Sequence, residues 1–138
     1  MTDHEIVEEQ NNRLYLALSN CDIDAMSQVW AHEEWVVCVH PGWNMVVGWD
    51  RVRESWEGIF SGGMTIRVRA QDVHILIEGD MAWVRCRERI LALARGQVGS
   101  TAAVATTIFK KMNGEWKLIC HHASPGMPLA ETEDPSSN

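Results

Sequence analysis

The chain lacks an excess of positive charge: 12 lysines and arginines stand against 19 aspartates and glutamates, a net charge of −7 over 138 residues. Phosphate backbones are held by basic residues in excess, so a general nucleic-acid binder is excluded. The chain also lacks a CxxC pair. Cys21, Cys38, Cys86 and Cys120 stand apart, each in an apolar or helical context. They read as reduced core residues, not as a disulfide framework or a zinc knuckle. No apolar run approaches the ~20 residues of a membrane span. The opening MTDHEIVEEQNN is acidic and has no apolar signal core. A cytoplasmic protein with no membrane contact is the expectation, and no cofactor is expected.

What is present is one domain's worth of core-forming chain, 46% hydrophobic and 22% charged. Its most informative stretch is WVVCVHPGWNMVVGWDRVRESWEGIF, from Trp35 to Phe60. Val36 to Val39 suit a buried strand, His40 closes it, and Pro41-Gly42 turns the chain. Met45 to Val47 return, Gly48 breaks the strand, and Trp49, Val52, Trp56, Ile59 and Phe60 fall at helical spacing on one face. Before this stretch, Thr2 or Asp3 caps a helix to about Asn20, and Asp22 caps a shorter one over IDAMSQVWA. After Ser61-Gly62-Gly63 the pattern is strand throughout. Apolar residues occupy even positions from Met64 to Ala70 and odd ones from Val73 to Ile77, which predicts a β-bulge at Gln71-Asp72. Gly79-Asp80, Arg95-Gly96 and Asn113-Gly114 are hairpin turns, and the last strand runs from Glu115 to Ala123. Residues 1–126 form a single domain on this reading, with 127–138 as a flexible tail.

The order helix, helix, short hairpin, helix, four long strands predicts an α+β domain. Its strongly bent antiparallel sheet, covered by three N-terminal helices, makes a cone whose open end suits a small-molecule pocket. ALSNCDIDAM, VGWDRVRESWEGIF, VHILIEGDMAWVR and MNGEWKLICHHASPG, in that order, resemble the nuclear-transport-factor-2-like superfamily, which includes SnoaL-like proteins and ketosteroid isomerases. The nearest likeness is to the association domain of calcium/calmodulin-dependent protein kinase II, from about Ile6 to Gly126. The resemblance implies a cystatin-like cone that pairs through its sheet, as a homodimer or a higher homo-oligomer. This fold hosts isomerases, lyases and assembly modules alike. In the isomerases a carboxylate before a loop proline shuttles the substrate proton, and His40, before Pro41, occupies the similar place. The first-helix tyrosine of those enzymes falls at Leu14, with Tyr15 one step round, and Ile108 replaces their second acid. Of the pocket arginines of the association domain, Arg85 matches one, while Thr107 and Ala123 stand where two others would be.

His40 is thus the candidate catalytic base, set against the bland reading of a histidine bonding its own turn. Cys38 and His40 share a strand face, but no third ligand stands at a fixed spacing, so no metal is expected. Arg67, Arg69, Arg85, Arg87 and Arg89 fall on one sheet face with Asp72 and His74, a solvated or dimer-facing stripe. For Arg85 the resemblance and the neighbouring Trp83 favour the cavity, as a holder of a carboxylate. Glu88 stands on the opposite, mostly apolar face. In Cys120-His121-His122, regular alternation lets only Cys120 and His122 act together, with a packed cysteine and a hydrogen-bonded histidine as the plainer reading. Tyr15, Trp30, Trp35, Trp56, Arg85, Thr107 and His122 are the candidate ligand-binding residues. The expected partner is a small, mainly apolar organic molecule, with a carboxylate as one option. The expected role is ligand binding, with proton transfer by His40 and plain oligomerisation as alternatives.

Overall fold

A computed structural model describes residues 1–127. The elements run α1 (Asp3–Ser19), α2 (Ile23–Val29), β1 (Val37–Val39), β2 (Val46–Val47), α3 (Trp49–Phe60), β3 (Thr65–Glu78), β4 (Met81–Ala94), β5 (Gln97–Met112) and β6 (Glu115–Pro125). Except for Met127, the expected tail lies outside the described residues. The fold is α+β, with one open six-stranded sheet in the order β2-β1-β6-β5-β4-β3. The sheet is mixed, not wholly antiparallel as the strand pattern predicts: β1 runs parallel to β6, with Val37 opposite Cys120 and Val39 opposite His122. A strand delivered after two helices reaches the edge of β6 from the helix side, so hairpin logic does not fix its direction.

Local chemistry explains the boundaries. Thr2 caps α1 in a full capping box with Glu5, and Asp22 caps α2 by accepting from the Ala25 amide at 3.0 Å. No side chain caps α3. Gly48, at φ 91°, feeds it instead, its own N–H donating to the Val36 carbonyl at 2.8 Å. A Cβ at Gly48 would meet the Glu34 carbonyl oxygen at 3.3 Å, so the position favours glycine on two counts. Asn113-Gly114 and Arg95-Gly96 both have paired positive φ values, the type I′ turn that the sequence pattern requires.

Two bulges re-aim the long strands. One lies in β3 between Gln71 and His74, with Asp72 at φ 55°, where the switch in apolar parity places it. The other is in β6, where Phe109 pairs with Leu118 but Ile108 already pairs with Cys120, leaving Ile119 extra. Trp116 and Leu118 are buried before it, His121 and Ala123 after it. The helices cover one sheet face, and the core forms there from Val7, Leu14, Met26, Val52, Trp56, Ala82, Val84, Phe109 and Leu118. The other face carries Leu76, Trp83, Arg85, Arg87 and Val104, all exposed.

Candidate functional site

Most polar side chains avoid the helix-covered face, which makes the exceptions informative. Glu88, Thr107, His121 and His40 are buried there, each at most 3% exposed. Glu88 follows Ala82, Val84 and Cys86 along the inner row of β4, Thr107 lies on β5, and the β6 bulge swings His121 into register with Thr107. Tyr15 on α1 reaches down to them. Its hydroxyl donates to Glu88 Oε2 at 2.6 Å and lies 3.2 Å from Cys86 Sγ. Since the phenol has one proton, the Cys86 thiol is the donor in the second contact. Thr107 Oγ1 meets His121 Nδ1 at 2.8 Å, and His121 Nε2 faces Glu88 Oε2 at 3.6 Å. A neutral His121 protonated on Nε2 fits both: it accepts from Thr107 and aims its N–H at the carboxyl group.

His40 is held from the other side. Its Nε2 lies 2.8 Å from Ser55 Oγ, and that hydroxyl in turn donates to the Val52 carbonyl at 2.7 Å. With the one hydroxyl proton so used, His40 Nε2–H is the donor and Nδ1 keeps its lone pair. The side chain therefore bonds α3, not its own turn. Trp56 and Trp43 both meet the ring edge-on, with centroids at 4.5 and 4.8 Å. Trp56 also lies 6.4 Å from the His121 ring, so one indole links the two imidazoles.

Burial sets the electrostatics. Desolvation pulls His40 down to about 4, helped by the charge His121 would carry. It pulls His121 down to about 4 as well, with a smaller push from His122. Desolvation raises Glu88 above the ordinary carboxylate range, against the lowering effect of the Tyr15 hydrogen bond. It also raises the Tyr15 phenol and the Cys38 thiol, and moves Cys86 up to about 11. Every titratable group of the cluster is driven toward its neutral form. The thiols are not nucleophiles here. Among the described residues no group of three or more His, Cys, Asp or Glu could hold a metal ion.

The candidate residues fall into two sets. Tyr15, Trp56 and Thr107 join His40, and Trp30 is buried nearby in the core, 6.1 Å from Trp49. Trp35 is 48% exposed, ahead of β1. Arg85 is exposed on the uncovered face, opposite Thr106, which faces His122 in turn. Arg85 does not reach the covered interior: strict alternation in β4 sends it outward with Trp83. His122 is outside because the bulge at Ile119 inverts the parity that Trp116 and Leu118 establish. Sequence reasoning missed His121 for the same reason. Ser55 gave no signal, and Glu88 gave one, as the lone charge in an apolar row.

Of two larger hollows, one borders the cluster and the other does not. One of about 370 Å³ reaches Glu88, its other walls including Gln71, Arg87, Arg89, Ser100 and Gly126. A larger groove of about 930 Å³ runs between α1, α2 and the β5–β6 turn, past Gln10, Arg13, Gln28 and Trp116. It holds none of the buried titratable groups, so size does not mark the chemistry.

The SnoaL-like domain model matches residues 7–129. The chain belongs to the SnoaL-like family. This SnoaL-like domain is 32% identical to a protein of the NTF2-like family from Streptomyces avermitilis, provisionally described as a dehydratase. The two superpose with a TM-score of 0.85 over 91% of this chain and 98% of that one. A Thiobacillus denitrificans protein, provisionally described as a calcium/calmodulin-dependent protein kinase type II association domain, is 26% identical. Its TM-score is 0.69, over 87% of this chain and 94% of that one. The F-box protein SKIP8 of Arabidopsis thaliana is 25% identical over 114 residues, 83% of this chain. The match takes in 47% of SKIP8, so the chain spans about half the length of that curated relative. No helix among the described residues is long and apolar enough to cross a membrane.

Proposed function

We propose that the domain binds a small organic molecule beneath its helices and moves a proton on it, as a lyase or isomerase does. The observation that carries this reading is the convergence of His40, His121 and Glu88 in one apolar interior, each held by a named partner. His40 Nδ1 is the base. It takes a proton from a carbon beside a carbonyl, and Glu88, holding its proton to higher pH than an exposed carboxyl, is the acid. Where the substrate bears a hydroxyl one carbon further on, the C–O bond breaks as the double bond forms. The oxygen then leaves as water with the proton of Glu88. The provisional description of the Streptomyces relative as a dehydratase supports this direction. Trp43, 49% exposed and lying against the 3% exposed His40, is the cover that moves to admit the molecule.

The test is exchange of the α-protons of 1-tetralone in D2O, followed by NMR. The native protein is expected to accelerate it, and His40→Gln to remove the acceleration, about 100-fold or more. Equal rates with and without protein would overturn the reading.

The uncovered face supports a second role alongside the first. Trp83, Leu76 and Val104 are exposed there, and the Thiobacillus relative is described as an association domain. We infer that two copies pair through this face, with Arg85 and His122 at the contact. Light scattering at micromolar concentration is expected to give twice the chain mass of 15.6 kDa. A monomer would contradict the pairing and leave the interior site standing.

A further inference from the structure

The edge of a sheet presents unpaired backbone groups, and folded proteins blunt it. Most edges of this sheet are handled that way. β2, outermost on one side, is only two residues long. Beside the first half of β6, Gln10 Nε2 donates to the Trp116 carbonyl at 3.0 Å and the Ala31 N–H to the Leu118 carbonyl at 3.0 Å. β3, outermost on the other side, carries Arg67, Arg69 and a bulge. Ser19 also takes up both backbone groups of Val68. Its hydroxyl accepts from the Val68 N–H at 3.0 Å and donates to the Val68 carbonyl at 3.2 Å.

β5 is treated differently. From Gln97 to Thr101 it pairs with β4 on one side, whereas β6 stops at Pro125, opposite Ala103. The Gly126 N–H donates to the Ala102 carbonyl at 2.9 Å, and beyond that bond the edge is open among the described residues. The whole stretch is exposed, Val98 to 71%, and it holds no charge, no proline and no bulge. Two observations say which groups are left open. Ala94 and Gln97 flank the Arg95-Gly96 turn as a hydrogen-bonded pair, so Gln97, Gly99 and Thr101 turn their backbone groups to β4. The bond at Ala102 gives the same parity. Val98 and Ser100 therefore aim N–H and C=O at the vacant edge. Continuing the β6 register past Gly126 would set Pro128, which has no N–H, opposite Ser100. In that register the chain's own continuation does not complete the ladder.

We propose that the open edge of β5 pairs with the same edge of a second copy, antiparallel about a two-fold axis at Gly99. Val98 then stands opposite the partner's Ser100, and Gly99 opposite the partner's Gly99. Each copy donates from Val98 and Ser100 and accepts at the same two residues, so every open group of the edge is used. The centre is a non-hydrogen-bonded pair, where Cα atoms come to ~4.5 Å, and two glycines meet there without side chains. A two-fold register needs one kind of surface and no other, which makes the occupant a copy and not a foreign strand. This contact is separate from pairing through Trp83, Leu76 and Val104 and does not depend on it. Ser100 and Thr101 also line the hollow that reaches Glu88, so the partner's strand lies along its mouth. So short a ladder buries far less than a standard interface, which places the association at higher concentration than face pairing.

The experiment uses the full chain with Cys21 and Cys120 changed to serine, which leaves the buried Cys38 and Cys86. Gly99→Cys is added to it. A Cβ at Gly99 has no neighbour nearer than the Ala92 carbonyl oxygen at 3.9 Å, so the site accepts the change. In the two-fold register these thiols stand within disulfide reach, whereas those of Thr101→Cys are roughly 13 Å apart along the strands. With oxidised glutathione, Gly99→Cys is expected to link into dimers at least about 10-fold faster than Thr101→Cys. The second arm is sedimentation equilibrium from about 10 μM to about 1 mM. The native mass is expected to double across that range, and Ser100→Pro to hold its low-concentration value. Proline there removes an N–H that β4 does not use, so the melting temperature is kept. Val98→Lys, a charge on the same edge, is expected to suppress the doubling as well.

A native mass that stays constant to the top of that range would overturn the proposal. So would a doubling that Ser100→Pro leaves intact, or equal linking of the two thiol variants. Failure of face pairing looks different: the low-concentration mass is then one chain, and the doubling remains.

Discussion

Along β4 the two faces of the sheet differ residue by residue. Inward lie Ala82, Val84, Cys86 and Glu88, buried under the helices; outward lie Trp83, Arg85 and Arg87 in water, with Arg89 half-buried. The outer row is what alternation makes of a solvated strand, with charges spread along it. The inner row is apolar until Glu88, and that one residue sits with a phenol donor at 2.6 Å and an imidazole at 3.6 Å. A carboxyl group put there for nothing would cost stability. The lesson is that charge number does not locate chemistry. Five arginines outside mark a surface, and one glutamate inside marks a site.

The comparison can be broken most sharply by truncation. Phe109 is fully buried in the inner row of β5, and Phe109→Ala is expected to cost about 3–5 kcal/mol in urea unfolding. Leu76→Ala on the outer face, 58% exposed, should change monomer stability by no more than about 0.5 kcal/mol. Similar losses at the two positions would mean that the outer face is as much a core as the inner one.

The next largest effect is on pH. His40 and His121 have folded values of about 4 against an ordinary 6.5, so the native state binds their protons more weakly than the unfolded chain. Their contribution is complete above pH 6.5 and is lost as pH falls toward 4, up to about 3 kcal/mol for each imidazole. Glu88 works in the opposite sense. Its folded value is raised, so it favours the native state at acid pH and loses that contribution as pH rises past 4.5. Urea midpoints between pH 4 and 7 should fall steeply toward acid, and His40→Gln should flatten that slope while Trp83→Ala leaves it. A native slope already flat would contradict the buried neutral imidazoles.

A smaller effect sharpens the account of Glu88. Tyr15→Phe removes its donor and nothing else of the ring, at an expected cost of about 1–3 kcal/mol. The double variant with Glu88→Gln should cost less than the two single changes added together, because the partners are coupled. Strict additivity would show that the 2.6 Å contact carries no energy.

Much of this was legible in the residues. Hairpin turns, caps and the bulge near Asp72 are local signals, written in Asn-Gly, in Thr2 and Glu5, and in a shift of apolar parity. The family resemblance carried the fold further, to an α+β sheet under three helices. The direction of β1 against β6 was not legible, since the Pro41-Gly42 turn ties this three-residue strand to β2 and no local signal ties it to β6. His121 was hidden for a different reason. The bulge at Ile119 inserts its residue among apolar and cysteine neighbours, where parity has no contrast to reveal the switch. Extrapolating from Trp116 and Leu118 sends His122 inward, whereas the bulged strand sends His121. Ser55 was beyond reach, because its role depends on how α3 docks against His40.

The account turns on the state of two imidazoles, and their ring nitrogens report it directly. A 15N spectrum of the histidine side chains, followed from pH 8 to pH 4, separates neutral rings from charged ones and names the protonated nitrogen. Both His40 and His121 are expected to stay neutral, with the proton on Nε2, until the pH approaches about 4. Titration of either ring near its ordinary 6.5 would contradict the account, for it would show that residue in contact with water and not enclosed beneath the helices.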